Sequence, residues 1–282
     1  MKPATPQTIL LLALALVCFA ANSILCRLAL ATRSIDPASF TAVRLASGAA
    51  VLALIVLASN KKPGGAGNWI SASMLFLYAI AFSMAYIGIK AGTGALLLFG
   101  SVQATMIAFS MAKGHHPRPQ QWLGLLLAIG GLVYLVLPSL SAPPLDRALM
   151  MAGAGIAWGI YSIRGAGGSD PVEATAGNFL RAAPLTLLPL ALNLHGLHEN
   201  SPGLLLAAVS GAVTSGLGYV FWYAALPFLG SIRAAIVQLA VPVLAAAATV
   251  FVLHESLTIR LAVASVVTLG GVAIAVLGSK GK

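Results

Sequence analysis

The chain has 282 residues, 59% hydrophobic and only 8% charged, with a mean hydropathy of +0.96. A water-soluble domain carries about 25% charged residues; no folded core could hide this much apolar surface, so the solvent must be lipid. The net charge of +10 would suggest nucleic acid in a soluble protein, but the basic residues are scattered at the ends of apolar runs, which argues against that partner and fits topology setting by Lys and Arg.

A membrane span needs about 20 apolar residues, and cutting the chain at charged, Pro and Gly clusters predicts ten. The first, 8–31, follows Lys2 like a signal peptide, but it is too long for one and no small-x-small cleavage site follows, so it reads as a retained span. Its cysteines, Cys18 and Cys26, are about 12 Å apart along a helix, too far for a disulfide. Spans 38–59 and 69–90 are separated by Asn60-Lys61-Lys62-Pro63-Gly64-Gly65. Span 93–112 stops at Lys113-Gly114-His115-His116-Pro117-Arg118-Pro119, and span 121–138 stops at a break over 139–144. The remaining spans are 147–164, 174–194, 203–226, 230–252 and 259–278, with breaks at Gly165 to Pro171, His195 to Pro202 and His254-Glu255. Little polarity marks the junctions near 91 and 228, so nine spans is the alternative count. No segment between spans is long enough for a soluble catalytic module. With the N-terminus inside, nine Lys and Arg fall on the inner side and five on the outer: Arg27, Arg33, Lys90, Arg147 and Arg260. That bias predicts cytoplasmic termini, and the preferred location is a cell inner (plasma) membrane.

A shift of 137 residues sets Arg27 on Arg164, Arg44 on Arg181, Phe82 on Tyr219 and Tyr86 on Tyr223. After a short gap the shift becomes 140, which sets His115 on Glu255 and Gly130-Gly131 on Gly270-Gly271. Apolar rows match by chance, but Arg is scarce in spans, so two Arg matches at one offset indicate duplication. The fold expected is an all-α integral membrane protein of ten transmembrane helices in two five-helix repeats, 1–140 and 141–282. Five is odd, so the second repeat enters the membrane inverted. Inverted repeats let one central site open to either side in turn; the plainer reading is a bundle merely enlarged by duplication.

Candidate substrate-binding residues follow from polarity at depth. Arg44 and Arg181 lie about 10 Å into their spans, where a charge costs at least ~2–3 kcal/mol and should face a cavity, a partner or the interface. They either attract an anionic group or snorkel to helix-end carbonyls. Tyr78, Phe82 and Tyr86 are spaced by four, Tyr219, Trp222 and Tyr223 cluster in a later span, and Trp158 and Tyr161 in another. Such rings suit an amphipathic solute, or form an interfacial belt. The amides Asn22, Gln103 and Gln238 serve a ligand or join helices.

All six acids and all five histidines fall at span ends or in loops. A proton-coupled exchanger keeps a titratable group at depth, so facilitated diffusion or gradient-driven exchange stands beside proton coupling, and a cation exporter built on a buried Glu is disfavoured. His195-x2-His198 and His115-His116 lack a completing acid or Cys for a metal. No phosphate loop or nucleophile–base set is found, so neither enzyme activity nor a cofactor is expected.

Phe19 to Arg27 and Ile156 to Arg164 resemble the first-span motif of the drug/metabolite transporter superfamily, EamA-type branch. Pro37-x6-Arg44 and Glu173-x7-Arg181 resemble its second-span motif, and Pro242 to Glu255 followed by Leu269-Gly270-Gly271 resembles a later one. In the first repeat, His115 stands where the second has Glu255, and Val102 where it has Pro242; the first-span Trp survives only as Trp158. The resemblance implies ten helices in two inverted repeats and a secondary transporter of small metabolites, often an amino-acid exporter. A multidrug or nucleotide-sugar carrier shares that architecture, and a non-transport membrane scaffold is the alternative outside transport. The partners expected are a small-molecule substrate and the lipid bilayer, the chain being a monomer or homodimer.

Overall fold

The computed structural model describes residues 6–89, 91–137, 143–165, 170–252 and 258–277, with backbone alone for 91–93 and 249–252. Lys2, Lys90, His254, Glu255, Lys280 and Lys282 lie outside the described residues, as does most of the 139–144 break.

The first half comprises α1 (Pro6–Ala31), α2 (Pro37–Ala58), α3 (Trp69–Ala85), α4 (Ala91–Ala112) and α5 (Pro119–Val136). The second comprises α6 (Leu145–Gly165), α7 (Pro171–Ala182), α8 (Leu187–Leu192), α9 (Ser201–Val209), α10 (Gly218–Val237), α11 (Ala240–Val252) and α12 (Ile259–Leu277). No strand occurs among the described residues, only one antiparallel bridge between Ile35 and Glu199. Among those residues six helical segments are long and apolar enough to cross a membrane, with Ser201–Val237 counted as one; α3 is apolar but shorter. The chain is thus a helical, multi-pass membrane protein. Hydrogen bonding explains the architecture: in lipid, a helix satisfies its own backbone.

Three expected spans are not simple helices. The segment 174–194 is broken between α7 and α8 by a 3-10 turn, Ala183–Thr186. Pro184 and Pro189 remove the amides a continuous α-helix would need. Between α9 and α10, Ser210–Leu217 winds as a π-helix, a stretch of small residues. Last, α10 contains Gly230 at φ 70°, ψ 161°, an orientation available to glycine. The chain then turns again at Gln238 and Leu239 before α11. Pro242 has no N–H to offer Gln238, whose carbonyl instead accepts from Val241 N at 3.0 Å. The junction expected near residue 228 therefore falls at Gly230.

Two aspartates start helices in the same way. Asp36 Oδ1 accepts from Ala38 N (2.9 Å) and Ser39 N (3.0 Å), and Pro37 opens α2. Asp170 Oδ1 accepts from Val172 N (2.8 Å) and Glu173 N (3.3 Å), and Pro171 opens α7. Each satisfies orphan amides of a first turn. Each also grips a loop of the other half with its second oxygen: Asp36 Oδ2 takes His198 N at 3.2 Å, and Asp170 Oδ2 takes Lys61 Nζ at 2.8 Å. The two grips lie at opposite ends of α2, so the halves are tied at both ends.

Lys61 also reaches Glu173 Oε1 at 3.1 Å. The Lys61 ammonium holds the Asp170 carboxyl below the usual carboxylate range against the opposing effect of burial, and the two capped amides add to the lowering. A folded-state pKa lowered in this way contributes stability above the ordinary carboxylate value, lost as pH falls through the lowered one. Asp170→Ala is expected to cost about 1 kcal/mol at neutral pH, mainly the lost cap, because an exposed ion pair adds little. Thermal melts should show the difference between variant and parent shrinking once pH drops below the carboxylate range.

Candidate functional site

Two turns into α2 stands Arg44, fully buried at 0% exposure. Its Nε donates to Ser215 Oγ at 2.8 Å and its Nη2 to Tyr219 Oη at 2.7 Å. The guanidinium lies over the Tyr78 ring, 5.4 Å from the centroid. Its Nη1 is buried with no hydrogen-bond partner. Among the described residues the acids in ion pairs are Asp146, Asp170 and Glu173, none with Arg44. A buried charge without a counter-charge is expensive, which makes Arg44 the least economical residue in the molecule if it serves packing alone.

The π stretch brings Ser215 to Arg44. Gly211 in that stretch lies against the Arg44 backbone and the Ser47 hydroxyl, and Gly48 of α2 faces Phe179 and Gly211 in turn. Ser47 Oγ donates across the contact to Ala208 O at 3.1 Å. From α1, Asn22 Oδ1 accepts from Ser210 Oγ at 2.7 Å and, more weakly, from Thr214 Oγ1 at 3.4 Å. A buried polar network thus joins α1, α2 and the π stretch, in a helix type enriched at functional sites.

Beside this network lies a cavity walled by α1, α3, α4, α6, α10 and the start of α11. Phe19, Asn22, Tyr78, Phe82, Trp158, Tyr219 and Gln238 all line it. Trp158 is the hub: its ring lies 5.3 Å from Phe19, 5.0 Å from Tyr78 and 4.7 Å from Tyr219. Its indole N–H donates to Gln238 Oε1 at 2.6 Å, and Gln238 Nε2 bonds Ala234 O at 3.1 Å. Gln238 occupies the turn between α10 and α11, so the helix interruption presents it. The rings close the space to room for about one water molecule.

Other residues named from the sequence surround this wall. Tyr86 packs edge-on against Phe82 at 4.7 Å, and Tyr161 stacks on Trp158 at 5.6 Å with its hydroxyl unpartnered. Trp222 donates to Ser162 Oγ at 3.1 Å, and Tyr223 to Tyr161 O at 3.1 Å. Gln103 Nε2 donates to Ala235 O at 2.6 Å while its Oε1 is buried and unpartnered. Sequence reasoning missed Phe19, Ser23 and Phe99 in the wall, and Ser215 behind it. Phe19, Asn22 and Ser23 share one helical face at spacings of three and four, a signal available from Asn22 onward. Ser215 carries no local signal, because only the π winding aims it at Arg44.

Arg181 stands apart from the cavity. Its Nη1 donates to Ala66 O and Gly177 O, each at 2.9 Å, and its Nη2 to Gly64 O at 3.0 Å. Arg164 bonds Ser71 Oγ and Asn68 Oδ1 nearby. The snorkelling alternative fits Arg181: it clamps the loop between α2 and α3. Charge-assisted bonds to carbonyls contribute about 1.5–3 kcal/mol each at most, so Arg181→Gln should loosen that loop. Limited proteolysis within 60–68 should speed up several-fold, while ligand affinity at the cavity stays within about twofold of the parent.

Comparison with known proteins adds the following. A family model described as "EamA-like transporter family" matches twice, over residues 7–137 and 147–277. An uncharacterized protein of Pseudomonas aeruginosa is 50% identical over 271 residues, covering 95% of this chain and 94% of that one. A solved structure described as a crystal structure of a protein matches with TM-score 0.77 at 22% identity, over 96% of this chain and 99% of the other. That last likeness is one of fold.

Proposed function

The chain belongs to the EamA-like transporter family, and from that premise we propose that it is a secondary transporter moving small metabolites by alternating access through the aromatic cavity. Ten transmembrane helices form two inverted five-helix repeats, 1–140 and 141–282, in a cell inner membrane with both termini cytoplasmic. Outward movement and an amino-acid-like cargo come from the family resemblance.

One observation carries the reading: the contact between α5 and α12 is unchanged when the halves are exchanged. Gly131 of α5 meets Thr268 and Ala264 of α12, and Gly271 of α12 meets Gly124 and Ala128 of α5. At the 140-residue shift these are the same contact seen from each side, as in an isologous two-fold interface. On a larger scale α6 packs on α3 and α4 of the first half, while α1 packs on α10 and α11 of the second. At the 137-residue shift the Asp36–His198 contact falls on the Glu173–Lys61 contact. A seam of this kind, together with an aromatic cavity walled by both halves, supports two halves that rock against each other.

The test is counterflow in proteoliposomes loaded with a metabolite panel. Saturable exchange of a labelled solute is expected. Flux that is linear in concentration would indicate a channel, and no flux for any solute would indicate a scaffold. For the topology, cysteines placed at positions 27 and 164 should be labelled from opposite faces of the bilayer. Labelling from one face overturns the inverted arrangement.

A further inference from the structure

An arginine donates and never accepts, so each hydroxyl touching Arg44 must accept from it and turn its own proton elsewhere. Tyr219 Oη takes the Nη2 proton, which leaves the phenolic O–H to donate, and Tyr219 lines the cavity. Ser215 Oγ takes the Nε proton in the same way. Asn22 has its carbonyl end occupied by Ser210 and Thr214, so its amide NH2 is the end left for the cavity it lines. Gln238 Oε1 is spent on the Trp158 indole, and no carboxylate lines the wall. The unmatched acceptor nearby, Gln103 Oε1, is not part of the wall. The wall therefore offers hydrogen-bond donors backed by a buried positive charge, and beside them the rings of Phe19, Phe82 and Phe99.

The geometry points to a cavity that selects organic monoanions. The anionic head is held by the Tyr219 hydroxyl and the Asn22 amide, and the apolar body lies among the phenylalanine rings. This rests on the transport reading of the same cavity and narrows its cargo. An anion supplies the counter-charge that Arg44 lacks and offers acceptors to the Tyr219 hydroxyl and the Asn22 amide. In a low-dielectric site the sign of a ligand charge a few ångströms from a guanidinium dominates selection. A cation is repelled, and the ammonium of a zwitterion finds no carboxylate in the wall.

The experiment uses the purified full chain and four ligands of one size: 3-phenylpropionate, phenylalanine, 3-phenylpropanamide and 3-phenylpropylamine. Binding is read by tryptophan quenching and thermal shift at neutral pH, with butyrate and 4-phenylbutyrate to vary the body. The carboxylate is expected to bind at least about tenfold more tightly than the amide, with the amine weakest. Tyr219→Phe, which removes one oxygen and keeps the ring, should bring the carboxylate-to-amide ratio within about threefold. The inference is overturned if the amide, zwitterion or amine matches the carboxylate, if Tyr219→Phe keeps the ratio, or if no carboxylate binds folded protein. The two readings then separate in counterflow. Exchange of an amine or a zwitterion with no carboxylate transport leaves the transporter standing and removes anion selection, whereas absence of all exchange removes transport itself.

Discussion

Arg44→Gln is expected to lower saturable flux by at least about a hundredfold while the folded yield and melting temperature stay close to the parent. The reasoning sets two terms against each other. Arg44 donates to Ser215 and Tyr219, and charge-assisted hydrogen bonds contribute about 1.5–3 kcal/mol each. Against them stands a charge buried in a membrane span without a carboxylate partner, which costs at least ~2–3 kcal/mol. The two nearly cancel, so removing the guanidinium changes stability little. Function has no such compensation: the orphan Nη1 and the Tyr219 alignment both vanish. A purely structural arginine predicts the opposite result, a variant that transports normally but melts lower. Arg44→Lys keeps the charge and loses the planar fork, so its flux should fall between parent and Gln variant. Proteoliposome counterflow beside thermal melts of the same preparations decides the matter.

Gly211→Val is expected to abolish folded protein. A side chain at 211 would run into the Arg44 carbonyl and the Ser47 hydroxyl, and backbone cannot swing aside as a flexible side-chain tip can. Overpacking a tight contact costs about 1–3 kcal/mol and sometimes more. Here it also breaks the Ser47–Ala208 bond and draws Ser215 away from Arg44. Total stabilities run to only about 5–15 kcal/mol, so little monodisperse material should survive size-exclusion chromatography. Gly270→Ala is the control: nothing lies within 4 Å of a Cβ there, and alanine favours a helix by about 1 kcal/mol over glycine. Equal yields from Gly211→Val and Gly270→Ala would refute the close approach of α2 to the π stretch.

Helix positions were legible because lipid enforces a simple rule, long apolar runs between polar breaks. The interruptions were less so. Pro184, Pro189 and Pro242 are visible in the sequence, but whether a proline bends a helix or stops it depends on what satisfies the freed carbonyls. The π winding at Ser210–Leu217 has no periodic signature, because small residues fit any winding. The aromatic residues Tyr78, Phe82, Trp158 and Tyr219 were found by spacing and by the repeat, and they meet in one wall. Arg44 and Arg181 looked equivalent at the 137-residue shift. Their surroundings differ: one meets a tyrosine and a serine in the core, the other meets the carbonyls of a loop. Equivalent positions in a duplicated chain share a backbone, and each is free to find its own neighbours.

The α5–α12 contact limits how the protein can move. Gly124, Gly131 and Gly271 bring two backbones together with almost no side chain between them, so neither helix can slide without lifting off the other. In the proposed transport cycle the pair would serve as a fixed axle. Rotation about it would then be absorbed where helical hydrogen bonding is already interrupted, between α7 and α8 and at Gln238, and stiffening either interruption is expected to slow turnover without touching a ligand.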